Sequence, residues 1–499
     1  MAEIIRHAGY AYLQAELSLK TMPHYRKSMV GAKKASMGIE NGIEIHHYRP
    51  SYWPGDAITD HLEFALKRDG INLEILTAAI SNIDIDELTD WIKASPGSKY
   101  RRKIWFICES FLSIQLDIDN RPANEKYENL LDPKLYYAGP SENCARYKIK
   151  KNMLGFKQFC PTVRRTKTLA DYEKIDFRSL LEGIMNKYPS GVRQRAINYL
   201  FTRETKSSFA IEKIEPSHSK TSAFNEALSQ ASTEDFVSKE GFIALQSLIL
   251  DRRFASKAYR LTNNYVHTGS SNTMHFIAPK HENINDLMHG LIDTHLSLSA
   301  SDIHAIIHAA IISFGFVFLH PFEDGNGRTH RFLIHNILSM KNLTPSGMIF
   351  PISVAMNNNL ETYYNALDRF SKPLCKLIDY ELDDEGTLTI NNDSLSFYNY
   401  IDFTHLAEAL FELANITLEK DIINGVNYIV SFDNAMKSIE EIIDMPNKLA
   451  TLLIKSCIDN GGDLSKRKRC AQFEKLTDEE ISECVAAIKT HFKDYIAAS

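Results

Sequence analysis

His320-Pro321-Phe322-Glu323-Asp324-Gly325-Asn326-Gly327-Arg328-Thr329-His330-Arg331 is the stretch on which the reading of this chain turns. It lies between two apolar patterns of helical period, Ala305 to Leu319 before it and Phe332, Leu333, Ile334, Ile337 and Leu338 after it. Pro321 disfavours helical torsions at His320, so the first helix is expected to stop there and leave an imidazole at its end. Gly325-Asn326-Gly327 then opens the second helix, whose first backbone amides lack intrahelical partners and can face an anion. Arg328 and Arg331 share one face of its first turn, where two cations oppose the helix dipole unless an anion compensates. Asp324, beside this cradle, is a hard oxygen ligand suited to a magnesium ion on phosphate oxygens. Taken singly, a histidine before proline, a Gly-Asn-Gly turn and a pair of arginines are ordinary structural features. Their joint occurrence at this spacing is what points to nucleotide chemistry.

Outward from the loop, the segment Leu261 to Pro279 carries two extended runs about the polar turn Gly269-Ser270-Ser271-Asn272, which predicts a hairpin. Asn359, Tyr363 and Leu367 recur downstream at helical spacing. A long helical pattern runs through Ala196 to Glu212, after Tyr188-Pro189-Ser190-Gly191 and before Glu215-Pro216. From Ile4 to about Glu182 the pattern is mixed. Asn41-Gly42 divides two alternating segments there as a second hairpin, and Asp60 to Lys67 reads as helix. The polar stretch Asp383-Asp384-Glu385-Gly386 to Asn391-Asn392-Asp393 marks a boundary, after which the chain looks like a small helical domain. Three spans are expected in consequence: 1–180, 181–385 and 386–499.

Composition narrows the class. Over 499 residues, 44% are apolar and 24% charged, as in ordinary soluble globular proteins. The formal charge of −6 provides no whole-molecule attraction to nucleic acid or anionic lipid. Seven scattered cysteines without C-x-x-C spacing argue against a disulfide framework or a zinc site and fit a reducing compartment. Met1 to Leu13, with Glu3 and Arg6, lacks the apolar stretch of a signal peptide, so a cytoplasmic location is expected. The run Ala305 to Leu319 is broken by His308 and Ser313 and falls short of the roughly 18 residues that span a bilayer. It reads as a buried helix, with no membrane partner.

The loop resembles the Fic family motif, H-x-F-x-D/E-G-N-G-R-x-x-R, at every specified position. A less specific likeness extends over about 195 to 375. The resemblance implies a mainly α fold: a Fic-type helical core with a small β-hairpin flap at about 261–279, flanked by an α+β N-terminal domain and a small helical C-terminal domain, for which a winged-helix-like form is one option. It implies a protein adenylyltransferase that moves AMP from ATP, with Mg2+, to a Tyr, Thr or Ser hydroxyl of a target protein, which can be the protein itself. By the same resemblance His320 is the general base and Asp324 the metal ligand. Gly325, Asn326 and Gly327 hold the α- and β-phosphates, and Arg328 and Arg331 the outer ones. Asn359 and Tyr363 resemble positions that line the adenine pocket, and the flap receives the target as an added strand.

Many members also carry an inhibitory helix with the pattern S/T-x-x-x-E-G/N, whose glutamate pairs with the last arginine of the motif. Ser36 to Asn41 satisfies it literally, but Gly38 and Asn41-Gly42 favour a hairpin. Ser208 and Glu212, four apart in the helical pattern at about 202–214, are preferred, with Lys213 departing from the usual Gly or Asn. Alternatives within the family are transfer of phosphate or phosphocholine, and a bifunctional enzyme that also removes AMP. Gly327 argues against phosphate transfer, because the Doc-type motif has a Lys there. A different class is a DNA-binding regulator acting through Lys466, Arg467, Lys468 and Arg469. A homodimer is compatible with the sequence.

Overall fold

The computed structural model describes residues 5–251, 253–268 and 271–496, so the Gly269-Ser270 part of the expected turn lies outside the described residues. Among the described residues the fold is mainly helical with four small sheets. Two compact units form, each from three separate stretches of chain. One comprises Met1–Ile175, Gln230–Leu343 and Asn359–Glu412; the other comprises Asp176–Ser229, Thr344–Asn358 and Leu413–Ser499. Among the described residues no helix is long and apolar enough to cross a membrane.

The first unit begins with a four-stranded sheet ordered Arg6–Ala8, Arg26–Val30, Ile43–Tyr48, Ser36–Glu40. Asn41 and Gly42 join the last two strands with φ of 50° and 79°, the paired positive torsions that the tight hairpin turn demands. The literal inhibitory pattern at Ser36–Asn41 is therefore an exposed strand and its turn. Helices Ile58–Arg68, Leu73–Ile80, Ile85–Ala94 and Lys99–Phe111 follow, around a core that includes Tyr10, Leu76, Trp105 and Phe106. The chain at 157–164 then lies against 399–404. Asn399 Nδ2 donates to the carbonyls of Lys157 (3.1 Å) and Gln158 (2.8 Å), and Arg164 meets Asp402 at 3.2 Å.

At the centre of this unit run three successive helices, Ile284–Ser299, Ala305–Leu319 and Asn326–Met340. In the second of them all but Ala305 and Val317 are buried, which explains a run that is apolar on every face. The third carries polar residues inward. Buried Asn336 accepts from the Phe236 amide (3.1 Å) and donates to the carbonyls of Ala231 (2.8 Å) and Glu234 (2.7 Å), fixing the segment that leads into the helix Lys239–Ile249. The expected hairpin is present as strands Tyr265–Thr268 and Ser271–Ile277, antiparallel with a register irregularity.

The second unit is helical, with no strand among its described residues. Its helix Ser190–Ile211 ends in a tight αL termination. Lys213 has φ 58°, its amide donates to Ala210 O (2.8 Å), and the Ile214 amide donates to Phe209 O (3.1 Å). Earlier in the helix, Glu204 accepts from the Ser353 amide at 2.9 Å. Toward the C-terminus, Ile454, Cys457, Phe473, Cys484 and Ile488 share a core.

Candidate nucleotide-transfer site

The helix Ala305–Leu319 stops where Pro321 requires, and His320 caps it in the left-handed region, φ 51° and ψ 57°. Histidine is among the few non-glycine residues enriched there. This torsion turns the imidazole back so that Nδ1 lies 3.1 Å from the carbonyl oxygen of Val317. A carbonyl can only accept, so the neutral ring carries its proton on Nδ1 and offers Nε2 as the acceptor. Burial draws the imidazole pKa down to about 4, with the Val317 bond opposing and the nearby Arg260 charge adding to the fall. The value near 6.5 expected from the isolated residue is therefore not the one this fold sets, and the ring is neutral throughout the physiological range.

The loop after His320 is organised by its own side chains. Asn326, buried, accepts from the Phe322 amide at 3.1 Å and donates to the Phe322 carbonyl at 2.7 Å, so its amide group closes the loop. Gly325 precedes the helix Asn326–Met340 with φ 86°, a torsion that strongly favours glycine. Its amide donates to Asp324 Oδ1 at 2.5 Å, and the same oxygen receives Arg328 Nη2 at 3.1 Å. Arg328 and Arg331 are both 2% exposed, whereas the Asp324 side chain is 68% exposed. The start of this helix thus carries two buried arginines, the first of them paired with an accessible carboxylate at the positive end of the helix dipole. Among the described residues no three His, Cys, Asp or Glu side chains converge as a metal site. A single carboxylate beside a phosphate cradle is nevertheless the donor set magnesium uses when phosphate oxygens and water complete its shell.

Residues outside the motif hold this loop, and sequence reasoning missed them. Gln246, on the helix Lys239–Ile249, donates to the Asp324 carbonyl (3.3 Å) and accepts from the Ser256 amide (2.7 Å). Asn264 Nδ2 donates to the Phe322 carbonyl at 3.2 Å, and Thr262 Oγ1 donates to Glu323 Oε1 at 2.7 Å. Arg260 reaches the carbonyl of His320 itself, at 2.8 Å. A second hairpin, Tyr380–Leu382 with Leu388–Ile390, braces the flap where the sequence suggested only a polar boundary. Tyr265 OH donates to Gly386 O (2.9 Å) and Asn263 Nδ2 to Leu388 O (3.1 Å).

A largely apolar cavity of about 470 Å³ opens beside His320, walled by Val266, His275 and Phe276 of the flap, Val317 and Phe318, and Tyr364, Leu367, Asp368 and Ser371 of the helix Leu360–Leu377. Leu367 from the expected stripe lines it. Tyr363 does not: it is buried against Phe314, with its ring 6.1 Å from that of His330. Asn359 sits at the N-cap of the same helix and is not among the lining residues. Tyr364, next along, lines the cavity.

The remaining expected residues belong to the second unit. Ser208 is buried near the end of the helix Ser190–Ile211, and Glu212 is its C-cap, with φ −91° and ψ 8°. Of the basic run, Lys466 and Arg467 are exposed. Arg469 is engaged locally, donating through Nη2 to the Leu476 carbonyl (2.5 Å) and to Asp478 (3.1 Å). The helix that follows, Asp478–His491, opens with Asp478, Glu479 and Glu480.

The sequence profile of the Fic/DOC family matches residues 236–338. A protein adenylyltransferase Fic of Nematostella vectensis is 28% identical over 129 residues, 26% of this chain and 30% of that protein, so the likeness spans less than a third of the relative's length. Among solved structures, a Fic family protein from Desulfovibrio desulfuricans is similar over 66% of this chain and 87% of its own, at 17% identity and a TM-score of 0.37. A Fic domain containing signaling protein from Bacteroides thetaiotaomicron is similar over 52% and 97%, at 18% identity and a TM-score of 0.35.

Proposed function

We propose, for a chain that belongs to the Fic/DOC family through its residues 236–338, that it transfers AMP from ATP to a Tyr, Thr or Ser hydroxyl of a target protein. The observation that carries this reading is the pairing of a histidine whose Nε2 is the acceptor nitrogen with a helix start bearing two buried arginines, eight and eleven residues beyond it across one continuous glycine-containing loop. The naming of the Nematostella relative as a protein adenylyltransferase supports the same choice of transferred group.

In this reading the cavity beside His320 takes the nucleobase. Its volume suits a small-molecule site, and its walls are apolar apart from a few polar groups such as Asp368 and Ser371. That moves the base from the expected Asn359 and Tyr363 to Tyr364 and Leu367. The amides opening the helix Asn326–Met340 and the guanidinium groups of Arg328 and Arg331 face the phosphates. Asp324 would hold magnesium, which supplies charge neutralisation on the phosphate oxygens. The target hydroxyl, aligned on the flap, attacks the α-phosphorus. The bond from the α-phosphorus to its bridging oxygen breaks, pyrophosphate leaves, and the hydroxyl proton passes to His320 Nε2.

Restraint of this activity by Glu212, pairing with Arg331 and denying it to the γ-phosphate, belongs to the same proposal. It is supported by the places of Ser208 in the last turn of the helix and Glu212 at its C-cap, and by the αL residue at 213, where the family pattern has the residue types most at ease in that torsion.

The test is incubation of wild type, His320→Ala and Glu212→Gly with α-labelled ATP, magnesium and lysate. Label should enter protein with wild type or, more strongly, with Glu212→Gly, and never with His320→Ala. Incorporation that survives His320→Ala removes the base assignment. Absence of label from both wild type and Glu212→Gly removes AMP transfer.

A further inference from the structure

Arg260 lies outside the motif, sixty residues before His320, and is 5% exposed. Each arm of its side chain ends on a backbone carbonyl. Nε donates to His320 O at 2.8 Å, Nη1 to Thr262 O at 2.6 Å and Nη2 to Pro279 O at 2.6 Å, while its own amide donates to Pro321 O at 2.8 Å. Thr262 lies just before the first flap strand, Tyr265–Thr268, and Pro279 just after the second, Ser271–Ile277. One planar fork therefore joins both ends of the flap to the backbone of the proton acceptor.

A buried guanidinium is expensive unless its donors are matched, and a hydrophobic side chain would fill the same space without that penalty. What the arginine adds is geometry: a rigid fork sets three carbonyl oxygens at fixed mutual distances. Burial lowers its pKa to about 10, so the fork is still charged at neutral pH.

We propose that Arg260 is a positioning residue that locks the two ends of the flap to the backbone of His320, so that a hydroxyl carried on the flap is held in register with the imidazole. Its effect on turnover rests on the AMP-transfer reading above; its effect on the flap and on the His320 ring does not.

The test uses the full-length protein with Arg260→Met and Arg260→Lys. With α-labelled ATP and magnesium, Arg260→Met should lose about 100-fold in kcat, the scale of a misplacement of about 1 Å, with KM for ATP changed less than about threefold. Arg260→Lys keeps the charge but cannot reach three carbonyls at once, and should lose about tenfold. Independently of turnover, amide exchange over residues 262–268 and 274–279 should quicken in both variants. NMR titration should find the His320 pKa raised in Arg260→Met, where a neighbouring cation is gone and Asp324 is the remaining charged neighbour, and unchanged in Arg260→Lys. Should Arg260→Met fail to fold, Arg260→Lys decides alone. Full turnover together with unchanged flap exchange in a folded variant overturns the proposal. If neither the wild type nor Glu212→Gly transfers label, AMP transfer fails while exchange and the ring titration still decide the role of Arg260.

Discussion

The Nδ1 atom of His320 lies 3.1 Å from the carbonyl oxygen of Val317, one turn back in the helix that His320 terminates. That bond selects the tautomer, and burial selects the charge: the imidazole is neutral above a pKa of about 4. The acid limb of kcat/KM for transfer should accordingly fall near pH 4, with a plateau from about pH 6 to 8. A rate profile bending near pH 6.5 would show that the ring titrates as if exposed. The sign for stability follows. Below about 6.5 the unfolded histidine binds a proton that the folded one refuses until about pH 4, so this group destabilises the fold progressively as pH drops through that window.

Asp324 and Arg328 form an ion pair at 3.1 Å with the carboxylate 68% exposed. The guanidinium is buried and the carboxylate largely in water, so the pair is worth more than a surface one, about 1–2 kcal/mol. Asp324→Asn should lower the urea midpoint by that modest amount while transfer falls by about 100-fold or more through loss of the phosphate-side charge balance. A variant that is destabilised but keeps its transfer rate would make Asp324 a structural residue.

Asn326 is expected to behave in the opposite way. Its side chain makes both hydrogen bonds to the Phe322 backbone inside the protein. Asn326→Ala leaves the buried Phe322 amide unpaired and its carbonyl with Asn264 as donor, and should cost about 1–3 kcal/mol in chemical denaturation. Asn326→Asp cannot donate to the Phe322 carbonyl and should not restore stability. An unshifted midpoint in Asn326→Ala would contradict the loop-closing role.

Lys213 occupies an αL position at φ 58°, immediately after Glu212. A side chain in that region carries a penalty of about 1–2 kcal/mol that glycine avoids. Lys213→Gly should therefore raise the stability of the protein by about 1 kcal/mol or less, the greater chain entropy of glycine in the unfolded state subtracting from the gain. A fall in stability would mean that the lysine side chain contributes more than its torsion costs.

Much of the helical core was legible because it depends on near neighbours. Residues 305–319 form one helix because they are apolar on every face and stop at a residue preceding proline. Asn41-Gly42 turns a hairpin because both residues tolerate positive φ, and the two extended runs of Leu261 to Pro279 pair as expected. The order of the motif loop, with its helix start at Asn326 after an αL glycine, is likewise a short-range matter of sterics and unpaired amides.

Tertiary structure decided what those residues do to one another. Successive helical residues differ by about 100° in direction, so spacing defines a stripe while packing chooses its phase; here Tyr363 turns to Phe314 and Tyr364 to the cavity. Asn326, which the family resemblance places at the phosphates, has its side-chain amide on the Phe322 backbone. Arg260 reaches His320 across sixty positions, and the segment at 157–164 meets 399–404 across some 240. Local sequence specified which segments coil, turn or extend, because adjacent atoms exclude one another whatever lies elsewhere. The partners of Arg260 are carbonyl oxygens, which every residue possesses, and only the folded path of the chain could single out those of Thr262, Pro279 and His320.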